Sequence, residues 1–445
     1  MSDATKIRVG YGRRDITPEM PVNMGGYGNP DKRISKDILD PLKATCVAIT
    51  DAENKTALLF GIDAIASVNS LGDEVRKRLQ EKFGIAPECV SISATHSHST
   101  PSLGGDYIGL EHPHGIKFVN NLVAAAEDAL ADQADAQILV GNGQANGLNF
   151  VRHYAQSNGE YYGSNFGSKK LAPTIGHAEP ADQEFQLIQF VREEKPNILM
   201  VNWQAHPCST GGILKYNISA DYVGTIRRYL EEQTGMHFIY FQGACGNLTT
   251  SSSIKGEHIE QDRDIIGIAV AKKILPAIES MYPVEGGLIK TAAMEFEYPV
   301  NHTEDHLVPA AEEVQKVWQE TRDRPRCNAM AVERGMRSVY HAGAVIRKSK
   351  MGEMSSLPIS VMSIGDIAFA RAPYEMFSQN GVEIKTQSPF AKTLVLGYTN
   401  GTHGYLPTRK AFEYRCYEAN TTRFAPGIGE GLSGAFVELL KGLKD

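Results

Sequence analysis

Short β-rich runs alternate with longer segments of helical period along this chain, and that alternation limits its fold more than any other feature. Strand-like runs are read at 7–11, 42–50, 55–62 and 89–94, with helical patterning at 70–83 and 117–131. Further strands are read at 184–191, 198–205 and 237–242, and helices at 221–234 and 261–279. A charged helical pair at 304–320 and 329–344 follows, then strands at 357–370 and 393–398. This order predicts a mixed α/β (α+β) architecture, with mixed sheets flanked by helices. The 445 residues show no internal repeat, low-complexity tract or compositional break, so one catalytic domain over 1–445 is the simplest organisation. Residues 145–181, rich in Gly, Asn, Tyr and Ser with little periodicity, read as a functional loop.

Charge and composition exclude several classes. The net charge is −7 and the Lys and Arg residues are dispersed, so no basic run tracks a phosphate backbone and nucleic acid is not an expected partner. No apolar stretch approaches the ~20 residues that span a bilayer. The segment Met1-Ser2-Asp3-Ala4-Thr5-Lys6 carries no apolar signal region, and the expected location is cytoplasmic. Six cysteines (Cys46, Cys89, Cys208, Cys245, Cys327, Cys416) include no Cys-x-x-Cys pair and read as buried thiols.

The most informative segment is Thr95-His96-Ser97-His98-Ser99-Thr100-Pro101. Residues two apart at a strand end face one side, so His96 and His98 can address one site. The pair can be two metal ligands, one ligand with one acid/base, or two polar residues on an exposed turn. His206 stands where a second strand runs into Pro207, either as a ligand or as a structural histidine. The stretch from Phe241 to Asn247 holds two glycines after a buried strand, which a tight turn or a close approach to a ligand explains equally. Glu375, after a further strand, offers a third ligand or a helix cap. Tyr405 and Tyr417 offer phenols that a nearby cation can ionise.

In sum these segments resemble the neutral/alkaline non-lysosomal ceramidase family, in the family's own order. The matching stretches include Arg14-Asp15-Ile16-Thr17-Pro18, Met24-Gly25-Gly26-Tyr27, Ala94 to Pro101, Asn149-Phe150-Val151-Arg152, Ser219 to Gly224 and Gln242 to Asn247. They continue through Pro373-Tyr374-Glu375 and Thr399 to Tyr405, with Tyr417-Glu418 twelve residues on. The resemblance implies Zn²⁺ as cofactor, with His96, His206, Glu375 and Tyr405 as its ligands. It implies that His98 moves protons while Arg152 and Tyr417 stabilise the oxyanion of a tetrahedral intermediate. Two positions depart from the family pattern: Asn247 replaces the usual Asp, and Tyr374 replaces a Gly. The family's C-terminal β-sandwich is expected to be missing.

Three functions follow as alternatives: a zinc amidohydrolase on a ceramide-like N-acyl bond, a zinc esterase or lactonase on a small soluble polar substrate, or a metal-containing binding protein without catalysis. The expected partner is a small-molecule or lipid-like substrate. A long apolar groove beside the metal would favour a lipid, and a small polar pocket would favour a soluble compound.

Overall fold

The runs Ile198–Trp203 and His237–Gln242 are apolar and almost wholly buried, as parallel neighbours covered on both faces require. In the computed structural model, which describes residues 6–27, 32–163, 170–257 and 259–444, they form one edge of a nine-stranded sheet. From that edge the order continues through Glu184–Arg192, Ala134–Gln144, Ile7–Asp15, Lys43–Thr50, Thr56–Ile62 and Val90–Ala94, with Tyr282–Val284 paired to Ala134–Gln144. Only the outermost pairs are parallel, Ile198–Trp203 with His237–Gln242 and Thr56–Ile62 with Val90–Ala94. The sheet curls until these edges approach: a Cβ at Gly61 would lie 2.7 Å from the Tyr240 carbonyl oxygen, so only glycine fits there.

A second sheet runs Ile289–Pro299, Met354–Ile364, Ile367–Arg371 and Lys392–Leu396, the last two parallel. Val9, Val47, Leu59, Ile188, Met200 and Phe241 of the first sheet pack on Met362, Phe369 and Leu396 of the second. Each such side chain contributes about 1.5–3 kcal/mol of burial. Helices cover the outer faces: Asn69–Phe83 and Pro113–Ala131 on one flank, Asp221–Thr234 and Arg263–Ile278 on another, and Ile428–Lys444 with Ser378–Gln387 over the second sheet. None of the described helices is long and apolar enough to cross a membrane. Five cysteines are buried and Cys208 is half-buried, all as free thiols.

The mixed α/β expectation holds, and the differences are local. The run 357–370 is two strands, because the chain reverses at Gly365 with φ +55°. The helix expected at 329–344 is broken: Arg324–Glu333 ends before Gly335, at φ +80°, and Val339–Ser349 restarts with the Ser338 hydroxyl accepting from the His341 amide. Residues 145–181 carry short strands where a loop was expected, with His153–Gln156 between Tyr161–Gly163 and Thr174–His177. Cross-strand stacking of Tyr154 on Tyr162, 5.0 Å apart, substitutes there for an alternating apolar pattern. Residues 164–169 of that stretch and the N-terminal Met1–Thr5 lie outside the described residues. Ala134–Gln144 and Ile289–Pro299 escape sequence reading because neither holds a sustained apolar run.

Three helices, Val308–Thr321, Arg324–Glu333 and Val339–Ser349, share a small core of Ala311, Val314, Cys327, Ala331, Ala342 and Val345. Glu304 ties them down, accepting from His341 Nε2 at 2.9 Å and Lys348 Nζ at 3.2 Å. Burial pushes its carboxyl up, but His341 and Lys348 outweigh that and bring its pKa from 4.5 down to about 2. A depressed carboxyl lends stability that is complete above its unfolded pKa and disappears as pH falls through the folded one. Glu304→Gln should therefore cost on the order of 2 kcal/mol at pH 6. In urea unfolding at a series of pH values, the gap from wild type should shrink between pH 4.5 and about 2; a gap constant across that window would contradict the pairing.

Candidate metal centre and active site

Val90–Ala94, Ile198–Trp203 and Ile367–Arg371 each belong to a parallel pair, and the residues just beyond them supply His96, His206 and Glu375. The carboxyl ends of such strands are where open α/β sheets gather ligands. Gln242, fully buried, joins two of these exits: its amide donates to the Thr95 carbonyl at 3.0 Å and to the Ala205 carbonyl at 2.8 Å.

His96 is held in the left-handed region at φ +66°. Its backbone N–H donates to Ala64 O at 2.9 Å, its ring Nδ1 lies 2.7 Å from Ile65 O, and the ring stacks on Tyr398 with centroids 3.8 Å apart. The Nδ1 of His206 lies 2.9 Å from Cys245 O in the glycine turn and 3.0 Å from Leu248 O just after it. At Gly246 a Cβ would collide with the Glu375 carbonyl, so this glycine lets the two segments close on each other.

Donation from Nδ1 to a carbonyl assigns each ring the tautomer whose Nε2 bears a lone pair. Glu375 Oε2 lies 3.5 Å from His96 Nε2 and 3.3 Å from His206 Nε2, and the Tyr398 hydroxyl donates to it at 3.3 Å. The Nε2 of His206 is buried and makes no hydrogen bond. Two imidazole lone pairs and a carboxylate oxygen facing one another repel unless a cation lies among them. Neutral nitrogens with one carboxylate form a donor set suited to Zn²⁺, and backbone carbonyls behind the histidines are the usual orienting partners. His98 joins the group, its Nε2 3.3 Å from that of His96, and one ring nitrogen from each of His96, His98 and His206 lies within 4.8 Å of the other two.

Protonation states favour cation binding. Burial, with Arg152 nearby, lowers His206 to about 4, and burial with His96 and His206 holds His98 well below its usual value. Burial pushes the Glu375 carboxyl up, but His96 and His206 outweigh it and keep it ionised. Metal ligands must be deprotonated in this way.

Arg152 stands on the other side of the cavity. Its Nε donates to Glu418 Oε1 at 2.8 Å, and its Nη2 reaches the same carboxylate, Gly246 O at 3.0 Å and the Tyr405 hydroxyl at 3.4 Å. The other oxygen of Glu418 lies 3.0 Å from His153 Nε2. His153, Cys416 and Glu418 form a second close group, but Arg152 and His153 already occupy that carboxylate, so it acts as a hydrogen-bonded brace. Tyr405 pairs with Glu375 across two short parallel strands, and the Tyr417 ring stands edge-on to it at 5.8 Å.

All seven side chains singled out from the sequence thus meet in one region. His98, Arg152, His206, Tyr405 and Tyr417 line a cavity of about 390 Å³ together with Tyr27, Tyr154, Tyr340 and Arg324. His96 and Glu375 join it through His98 and His206. Glu375 does not cap a helix; the helix Ser378–Gln387 begins after it with no side-chain cap. Asn247 works through both ends of its amide, accepting from the Ser378 amide at 2.8 Å and donating to Gln379 at 3.0 Å. Tyr374 is buried in the core under the second sheet and does not line the cavity. Sequence reading missed Gln242, His153, Tyr398 and Glu418 as supports, although each lies in or beside a motif it singled out; Arg324 and Tyr340 carry no motif at all.

The chain is similar to known proteins in sequence and in fold. The family model described as neutral/alkaline non-lysosomal ceramidase, N-terminal, matches residues 7–245. Neutral ceramidases of Drosophila pseudoobscura pseudoobscura and Drosophila melanogaster are 34% identical over 97 residues, a stretch covering 21% of this chain and 14% of each relative. The crystal structure of neutral ceramidase from Pseudomonas aeruginosa superposes with a TM-score of 0.72 at 19% identity, covering 99% of this chain and 75% of that one. A ceramidase complexed with C2 gives the same TM-score at 18% identity. At such identities the likeness establishes a shared fold. By its sequence match over more than half its length, the chain belongs to the neutral/alkaline non-lysosomal ceramidase family.

Proposed function

We propose that this chain is a zinc-dependent hydrolase that splits the amide bond of an N-acyl compound by attack of water on the acyl carbon. The observation that carries this reading is the convergence of two lone-pair-bearing imidazoles and the Glu375 carboxylate beside a cavity walled by Arg152, Tyr405 and Tyr417. The name of the relatives, neutral ceramidase, supports an amide over an ester.

A cation held by His96, His206, Glu375 and Tyr405 would supply Lewis-acid polarisation of the substrate carbonyl and a water acidic enough to attack it. The remaining work belongs to the protein. His98, kept neutral by burial, takes the proton of the attacking water and delivers it to the departing nitrogen. Burial alone would weaken the Arg152 cation, but Glu418 more than compensates, so a full positive charge faces the carbonyl oxygen as it gains charge. Burial and Glu375 raise the Tyr417 phenol, which stays protonated and donates beside Arg152. The same influences raise Tyr405, and a cation in the cluster acts on it in the opposite sense.

These roles separate experimentally. The purified protein should bind one equivalent of Zn²⁺ and lose N-acyl amide hydrolysis on chelation, and His96→Ala should lose both metal and activity. His98→Ala should keep its zinc while kcat falls by about 10²–10⁴-fold, the usual worth of a general acid/base; loss of zinc from this variant would make His98 a ligand instead. Glu418→Gln leaves Arg152 buried without its counter-charge, which should cost about 3–5 kcal/mol in chemical unfolding and lower kcat more than it raises KM.

A further inference from the structure

The described walls of the cavity contain no aliphatic or phenylalanine side chain; their aromatic surface comes from tyrosines, each with a hydroxyl. A volume of about 390 Å³ lies near the low end of the roughly 300–1,000 Å³ typical of ligand sites. Among the described residues a long acyl tail meets only tyrosine ring faces here, whereas a compact polar molecule finds ring faces and hydrogen-bonding groups together.

The charges in the wall are unequal in their freedom. Arg152 is matched by Glu418, and Glu375 lies among histidines. Arg324 also lines the cavity, yet among the described residues its guanidinium has neither an ion-pair partner nor a hydrogen-bond acceptor. Its nearest acidic neighbour in sequence, Asp323, is engaged as the N-cap of the helix, accepting from the Arg326 amide at 3.1 Å. The backbone beneath Arg324 is firm, because Cys327 and Ala331 of the same helix are buried in the three-helix core. From the next helix Tyr340 stands edge-on to Tyr417 at 6.0 Å, so this helical group forms a wall of the cavity that holds the catalytic side chains.

Building on the amide-hydrolase reading above, we infer that the substrate is a compact N-acyl compound bearing a carboxylate, such as a short N-acyl amino acid, and that Arg324 binds that carboxylate. The planar guanidinium offers paired N–H donors that match a carboxylate, and an uncharged lipid would leave them unused. In the reaction water adds to the acyl carbon and the C–N bond breaks. The products are a free short-chain acid and the amino acid, whose nitrogen gains the proton.

The zinc-loaded full chain should be assayed on N-butanoylglycine, on its uncharged counterpart N-butanoylethanolamine, and on a long-chain ceramide in mixed micelles. The glycine conjugate should be favoured in kcat/KM by about ten-fold or more over the ethanolamide. Arg324→Ala should abolish that preference mainly through KM, Arg324→Lys should restore part of it, and Arg324→Glu should reverse it. Since Arg324 is exposed at a helix start, the variants are expected to keep the wild-type Tm, which is measured alongside. Metal-dependent turnover of the ceramide or ethanolamide at equal or greater efficiency, or a preference that survives Arg324→Ala, would overturn this inference and leave the amide-hydrolase reading intact. No turnover of any of the three amides would overturn both.

Discussion

Gln242 is the side chain on which the geometry of the centre depends. Its amide donates to the carbonyls of Thr95 and Ala205, the residues immediately before His96 and His206. The first segment leaves an edge strand of the nine-stranded sheet and the second leaves the strand next to the opposite edge, so their meeting is a property of the whole curled sheet and no local turn could produce it. The Ala205 carbonyl also accepts from the Tyr222 hydroxyl at 2.6 Å, but the Thr95 carbonyl has Gln242 as its donor, and a buried carbonyl left without one costs about 1–3 kcal/mol, so the bridge both closes the sheet and sets the histidine spacing. Gly61 serves the same closure from below by admitting the Tyr240 carbonyl where any side chain would collide.

The centre also stores backbone strain that this closure must sustain. His96, Tyr398 and Asn400 adopt φ of +66°, +53° and +62°, conformations that side chains other than glycine rarely enter. Their partners lock them in. His96 is fixed by two backbone carbonyls and by the face of Tyr398, while the carbonyl of Asn400's side chain accepts from the Ile92 amide at 2.8 Å and from Arg76 at 2.7 Å. The strain therefore turns His96 towards Glu375 and away from the direction a continuing strand would give it.

What could be read from the sequence follows from what each residue type advertises. His96, His206 and Glu375 follow buried strands, and strands made of unbroken apolar runs declare themselves. The ends of Val90–Ala94 and Ile198–Trp203 were legible for that reason. Ala134–Gln144 lies inside the same sheet yet was unread, because its neighbours supply the burial its own composition does not announce. Gln242 and Glu418 stand in motifs without a role that the sequence declares. A glutamine or a glutamate has no intrinsic signal for bridging two distant segments, and their importance emerges only once Thr95, Ala205 and Arg152 are brought to them. Tyr374 shows the reverse case: a departure from the family pattern right beside Glu375 that packs into the core under the second sheet.

The cavity draws on two kinds of support. One side follows strands packed between two sheets, with His96, His206 and Glu375 just beyond their ends. A further wall comes from three helices with a small core of their own, tied to the rest through Glu304 and its cationic partners. Residues on that wall, Arg324 and Tyr340, can change without disturbing Gln242, Gly246 or the carbonyls behind the histidines. The metal-ligand candidates and the helical wall thus rest on different packing. The helical wall meets the metal-ligand side where Tyr340 stands against Tyr417, while the contacts that set the histidine spacing, through Gln242 and Gly246, lie outside it.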